Sequence, residues 1–457
     1  MEKKSIRVLA VTGAMGSGFK EKSLQIAMSQ HPDIIGVDCG STDPGPHFLG
    51  SGDTMFSEAA YYKELSLMLK AGRQAGVPVI VGSCGTAGTD NHVDMFVEMV
   101  KRIAKENSLH FKLGVVYSEQ SKEYLVRKIQ EGRIKPLSNA PEINEETIRN
   151  CKHIVGMAGV EPFTECFDNG ADVIISGRCS DTSVYAALPL YRGFNPGPVW
   201  HAAKITECGA ACVAQRKYPD CMVCTITDDD FVVCPPNPDY MCTPISVASH
   251  MLYENASPHE IIEPAGIMNC EHATYEAVDS RSVRVSGSTF TPASVYTIKL
   301  EGAQSAGFQS LFIGAIRDPY ILDQLDTYLQ GVRTEIENRI STVYGQEILG
   351  NIDMHFRVYG LDGAMGFLEP VRTPAHEVCV VIQITAATQE LATALCKSAS
   401  HIAIHYPIPE WSGLITSFAL PYSPLVVDRG EVYRFALNHV VEPSSWKEMF
   451  RVSYQNI

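Results

Sequence analysis

Three times in its first half the chain runs a short apolar segment into a nearly identical polar turn. The turns are Val37-Asp38-Cys39-Gly40-Ser41-Thr42, Gly82-Ser83-Cys84-Gly85-Thr86 and Gly177-Arg178-Cys179-Ser180-Asp181-Thr182. The segments before them, Asp33-Ile34-Ile35-Gly36, Val79-Ile80-Val81 and Asp172-Val173-Ile174-Ile175-Ser176, are continuous apolar runs, the pattern of strands buried on both faces of a parallel sheet. Such sheets bind ligands outside the carboxyl ends of their strands, so matching turns read as edges of one site. Small residues admit close backbone approach, and exposed N–H groups with Ser and Thr hydroxyls suit an anion. The competing reading is three ordinary tight turns made of turn-forming residues.

Strand and helix alternate around these turns. Ile6 to Val11 reads as a strand, followed by the Gly-rich Thr12–Lys20 and a helix over Glu21–Ser29. That loop lacks the Lys-Ser/Thr pair of a phosphate loop and does not spell G-x-G-x-x-G, so it reads as an anion or backbone-approach loop without ATP hydrolysis. Helices follow over Ser57–Gln74, Val93–Lys105 (opened by Thr89-Asp90-Asn91) and Ser121–Glu131, with strands at Leu113–Tyr117 and Ile154–Gly156. This order predicts an α/β class: an N-terminal domain, 1–285, with a mostly parallel sheet and helices on both faces, of which 200–285 is a less regular extension. Later the order becomes strand Phe308–Ile316, helix Tyr320–Ile340, strands Met354–Val358 and Val378–Thr385, and helix Gln389–His401. It predicts a C-terminal α+β, ferredoxin-like domain over 286–457, available for oligomerisation or partner docking.

A chain of 457 residues, 45% hydrophobic, has room for two to four domains with large cores. Its formal charge of −15 argues against nucleic acid or an anionic membrane as partner, because phosphate binding needs a basic face. Fourteen cysteines without a secretion signal fit thiols kept reduced in a cytoplasm. Cys221 and Cys224 form a C-x-x-C, but in an extended segment residues three apart face opposite ways, which is poor geometry for zinc. No G-x-S-x-G elbow marks a serine hydrolase.

Several side chains carry candidate chemistry. Asp38 and Asp43 bracket the first turn, with Asp53 close behind; two carboxylates there can hold Mg²⁺, or one can act as a base with its pKa raised by the other. The bland alternative is a turn starter before Pro44 and a local cap. Arg178 suits a bidentate clamp on a carboxylate or phosphate, against an internal ion pair with Asp181 or Asp172. Cys84 lacks a visible base and reads as a small lining residue. Asp90, His92 and Asp94 offer ligands, but 92 does not share a helix face with the other two. His201, Lys204 and Glu207 lie along one helical face, either as functional groups or as a solvated stripe, and Glu161 is a further strand-end carboxylate. Cys39, Cys84 and Cys179 on one [4Fe-4S] cluster is a sharper reading that the spacing permits and nothing else supports.

Asp38 through Gly52, Cys84-Gly85-Thr86-Ala87-Gly88, Gly177 through Asp181, Glu207-Cys208-Gly209-Ala210 and Asp428-Arg429-Gly430-Glu431-Val432-Tyr433 together resemble the acyclic terpene utilisation (AtuA-type) family. The resemblance spans most of the chain. It implies catabolism of small organic acids or their CoA thioesters without naming the reaction, and it implies a small companion protein beside the chain.

The expectation is therefore a lyase of the hydratase/dehydratase type acting on a hydroxy- or unsaturated carboxylate or its acyl-CoA. Asp38, Asp43 and Glu207 would be catalytic, and Ser41, Thr42, Gly85, Thr86, Arg178, Asp181 and Thr182 would bind substrate. Mg²⁺ on Asp38 and Asp43 would assist departure of hydroxide. The alternative is an acyl-CoA- or anion-binding subunit of a two-component complex. A homo-oligomer is expected in either case.

Overall fold

The computed structural model describes residues 4–408 and 418–457. The chain is α/β with mixed sheets, and it divides into two compact units: Met1–Gln304 with Arg434–Ile457, and Ser305–Tyr433. The first unit thus includes 286–304 and 434–457, segments that the sequence pattern groups with the second domain.

A ten-stranded sheet runs through the first unit. Five strands at its centre are parallel, in the order Ile6–Ala10, Ile34–Asp38, Val79–Gly82, Val173–Ser176, Lys112–Tyr117. They are the apolar runs read from the sequence, and their burial has the period of two that a doubly covered strand demands. Ile6, Val8, Ile34, Ile80 and Ile174 enter one core, while Leu9, Ile35, Val79, Val81, Val173 and Ile175 enter the other. Helices Glu58–Ala75 and Asp90–Asn107 close the second core. The former starts where Ser57 Oγ accepts from the Ala60 N–H and buries Tyr61, Leu65, Met68 and Leu69, spaced to fall on one face. Helices Glu161–Asp168, Ser183–Tyr191 and Pro196–Thr206 cover the first core.

Two parts of the architecture differ from the expected alternation. Met222–Ile226, Asp230–Cys234, Val283–Ser286 and Thr274–Ala277 extend the sheet antiparallel from Ile6–Ala10, so much of the less regular 200–285 region is sheet edge. Cys151–Gly156 leaves the main sheet altogether and pairs antiparallel with Leu300–Gln304. That detour places Glu301 against the third turn.

In the second unit the order is strand, helices Pro319–Asp323 and Leu325–Tyr344, strands Asp353–Tyr359 and Val378–Ala386, helix Gln389–His405, strand. The expected single helix over Tyr320–Ile340 is broken at Gln324, whose φ of −120° is not helical. Ile321, Leu325, Tyr328, Val332, Ile336 and Ile340 pack this pair onto the alternating residues of Val378–Ala386. Among the described residues no helix is long and apolar enough to cross a membrane.

Candidate functional site

The three turns lie side by side at the carboxyl ends of adjacent parallel strands. Cys39 N–H donates to Gly82 O (2.9 Å), Ser83 N–H to Gly177 O (3.2 Å) and Arg178 N–H to Gly88 O (3.1 Å). Two glycines make the last contact possible: a Cβ on Gly88 would stand 2.2 Å from Arg178 N, and one on Gly177 would stand 2.8 Å from Gly88 O. The second turn is strained, since Ser83 (φ 44°) and Thr86 (φ 89°) occupy a region that side-chain-bearing residues avoid. Such conformations cost on the order of 1–3 kcal/mol each and persist where the surroundings over-determine them. Thr86 is held by the Met55 N–H, which its Oγ1 accepts at 3.1 Å.

Arg178 is the hub of the rim. It is buried, its Nε donates to Glu301 Oε2 (2.9 Å), and its Nη1 donates to Asp181 Oδ1 (3.0 Å), Ser83 Oγ (3.1 Å) and Cys179 O (2.8 Å). Burial works against its charge, but Glu301 and Asp181 outweigh that and raise its pKa. Glu301 is buried too; its desolvation is overcome by Arg178 and by Lys299, whose ammonium lies 3.1 Å away, so its pKa falls to about 2. The result is an alternating row, Asp181, Arg178, Glu301, Lys299. The internal ion pair weighed for Arg178 is present, with Glu301 as a partner from a distant segment.

Acidic groups surround this row. Asp38 ends its strand buried; Oδ2 accepts from the Gly40 N–H (2.8 Å) and Oδ1 has no partner among the described residues. Burial, then the charge of Asp181, push the Asp38 pKa well up against the pull of Arg178. Asp181 is half-buried and also raised, by burial, with Arg178 opposing. Glu207 and Lys204 form a buried pair at 2.5 Å in which burial lifts Glu207 to about 8. Glu263, also buried, is lifted to about 7; its Oε1 accepts from Thr182 Oγ1 and, at 3.1 Å, from Ser180 Oγ. Asp43 is exposed and lies close enough to act on Asp181 and Glu254 by its charge. Carboxyl groups that hold protons near neutrality beside fixed cations can donate and accept protons at a reacting centre.

The remaining expected residues are distributed as follows. Ser41 Oγ accepts from the Asp43 N–H (3.1 Å), Thr42 is buried, and Gly85 backs onto the His92 ring. The Gly-rich loop holds an anion supplied by the chain itself: Glu64 accepts from the Gly16 and Gly18 N–H groups, each at 2.8 Å. Cys39 and Cys84 belong to the core on one face of the sheet and Cys179 to the core on the other, so the three thiols do not converge. His92 is buried between Thr89 and the Gly52 and Asp53 carbonyls, Asp94 accepts from Tyr117, and Asp90 pairs with Arg451. His201 is enclosed away from Glu207, with Nδ1 2.6 Å from Ser288 Oγ and a pKa lowered by burial to about 3. Asp53 pairs with His47, and Glu161 accepts from Tyr296 OH (2.9 Å). Among the described residues no group of three or more His, Cys, Asp or Glu side chains is gathered as metal ligands.

Sequence reasoning missed Ser83, Glu263, Lys299 and Glu301 as site residues. Glu263 shares the inward face of its short strand with Ile261, and Glu301 lies in the continuously buried stretch Leu300 to Ala303. A buried-face acid in a strand was the available signal.

Fold and site together define an α/β protein with an acid-rich, cation-braced rim at the carboxyl ends of parallel strands. The model of the family described as "Acyclic terpene utilisation family protein AtuA" matches residues 6–216 and 227–419, and the chain belongs to this family. Neither a curated protein nor a solved structure matches the chain.

Proposed function

We propose that the chain is an enzyme of small organic acid or acyl-CoA catabolism, a lyase of the hydratase/dehydratase type working on a hydroxy- or unsaturated carboxylate. The observation that carries this reading is the convergence of three buried carboxyl groups with raised pKa, Asp38, Glu207 and Glu263, around Arg178 and Lys204. In the eliminating direction Glu207, in the fraction that is ionised beside Lys204, takes the α-proton while the C–O bond breaks. The departing hydroxyl leaves as water with a proton from a neutral acid, Asp38. Lys204 and Arg178 stabilise the negative charge that builds on the substrate carbonyl. Asp38 is enclosed and Asp43 exposed; Mg²⁺ held by this pair would assist the departure of hydroxide, while the proton steps rest on the chain's own carboxyl groups.

The βαββαβ order and the strand order of the second unit support a ferredoxin-like arrangement, and its proposed role is docking a second copy or a companion protein. The test is ultraviolet absorbance of the conjugated double bond with a panel of β-hydroxy and α,β-unsaturated acids and their CoA thioesters. Turnover by the purified chain, lost in Asp38→Asn and Glu207→Gln, is expected. Turnover only after a companion protein is added would replace the lone enzyme by the two-component complex, and none in either case would sink the lyase.

A further inference from the structure

A cleft of about 420 Å³ opens in the first unit beside the rim residues Glu263 and Lys299. Its walls are Leu137, Met157, Ile261, Ile262, Pro264 and Val440, so most of what a ligand would touch is apolar. Two charged side chains that serve the turns also line it, Glu263 and Lys299. Glu263 is only 5% exposed; Thr182 and Ser180 hold Oε1, while Oε2 is enclosed with no partner among the described residues. A buried polar atom without a partner costs about 1–3 kcal/mol unless something binds to it. Lys299 Nζ lies 3.1 Å from Oε1 of Glu301, whose other oxygen accepts from Arg178 Nε, and Lys299 is the one cation of that row that lines the cleft.

We propose that this cleft binds a short-chain monocarboxylate, with its alkyl chain on the apolar wall and its carboxylate between the Lys299 ammonium and the Glu263 carboxyl. A volume in the lower part of the ~300–1,000 Å³ range of small-molecule sites suits a short chain. A free acid fits better than a CoA thioester, because the nucleotide phosphates would need several cations and the cleft presents one lysine beside Glu260 and Glu263. The inference stands whether the chain is an enzyme or a binding subunit.

Glu263 gives the site a pH response. Asp181 from the third turn, Glu161 from its helix and Glu207 act on it by charge, and Lys299 and Glu260 line the same cleft. Burial first, then Asp181 and Glu161, keep its pKa near 7 against the pull of Thr182 and Ser180. Below that value it donates to the bound carboxylate; above it, it repels the same group.

Calorimetric titration of the full chain with pentanoate, pentanamide and pentanoyl-CoA tests the proposal. Pentanoate should bind at least tenfold more tightly than its amide at pH 6 and should weaken progressively above pH 7. Lys299→Met should lower pentanoate affinity at least tenfold, and Glu263→Gln should bind with no decline above pH 7. Ile262→Asp, at an exposed position, should weaken both pentanoate and pentanamide several-fold, pentanoate the more. Equal affinity for acid and amide, indifference to Lys299→Met and Ile262→Asp, or binding of the thioester alone would each overturn the proposal.

Discussion

Replacing Glu301 by glutamine removes one charge from the row Asp181, Arg178, Glu301, Lys299 while keeping the side chain's volume and part of its hydrogen bonding. The cost follows from the pKa. Arg178 and Lys299 hold the folded carboxyl at about 2, whereas an unfolded glutamate titrates near ~4.3. At about 1.4 kcal/mol per unit, the gap corresponds to roughly 3 kcal/mol of stability near neutrality. Breaking a buried ion pair by removing one partner independently costs about 3–5 kcal/mol, because the remaining charge stays out of water. Glu301→Gln is therefore expected to lose about 3 kcal/mol at pH 7. The sign of the pH dependence is fixed by the depressed pKa: the contribution is complete above about pH 4.3 and vanishes as pH falls through about 2. Urea unfolding followed by the fluorescence of Trp200, buried in the first unit, reads the difference. At about pH 3 the gap between wild type and variant should be roughly half its neutral value. An Arg178→Met/Glu301→Leu double variant should cost less than the sum of its single changes, since they share one interaction. Wild type and Glu301→Gln within about 0.5 kcal/mol at pH 7, or a gap that does not shrink on acidification, would refute the reasoning.

Other outcomes follow from the same geometry. Glu64→Ala leaves the Gly16 and Gly18 N–H groups without their acceptor, which should cost about 1–3 kcal/mol and show as faster amide exchange at those two positions. Gly88→Ala should fail to give soluble chain, because the new Cβ meets the backbone of Arg178 and not a side chain that can turn aside. Glu263 and Glu207 titrate far above unfolded glutamate, so the folded state holds their protons longer and stability should fall as pH rises from about 4.3 toward 8. Glu263→Gln should make the melting temperature decline less steeply over that interval; an unchanged slope would mean that Glu263 is ionised throughout.

What could be read from the chain without coordinates was the local part of this arrangement. The three turns were legible because a strand buried on both faces is a continuous apolar run, and because the polar residues after it must lie at one end of the sheet. The helix Glu58–Ala75 was legible to within a residue at each end as the helical stretch Ser57–Gln74. Partners contributed from far along the chain were not. Glu301 meets Arg178 only because Cys151–Gly156 pairs with Leu300–Gln304, and no local pattern reports an antiparallel pairing across so long a loop. The Gly-rich loop misled for a related reason: its N–H groups do bind a carboxylate, but one brought by a helix more than forty residues away. The burial that raises Asp38, Glu207 and Glu263 is likewise a property of the packed whole, which composition alone does not carry.

The chain leaves the first compact unit after Gln304 and rejoins it at Arg434, and the two residues touch, Arg434 Nη2 donating to Gln304 Oε1 at 3.3 Å. Exit and re-entry at one place is the signature of a cassette, a stretch that can be cut from the gene and the ends sewn with a few Gly and Ser codons. A shortened gene lacking codons 305–433 would still encode every residue of the rim and of the cleft beside it, and would turn the role of the second unit into a question of gain or loss.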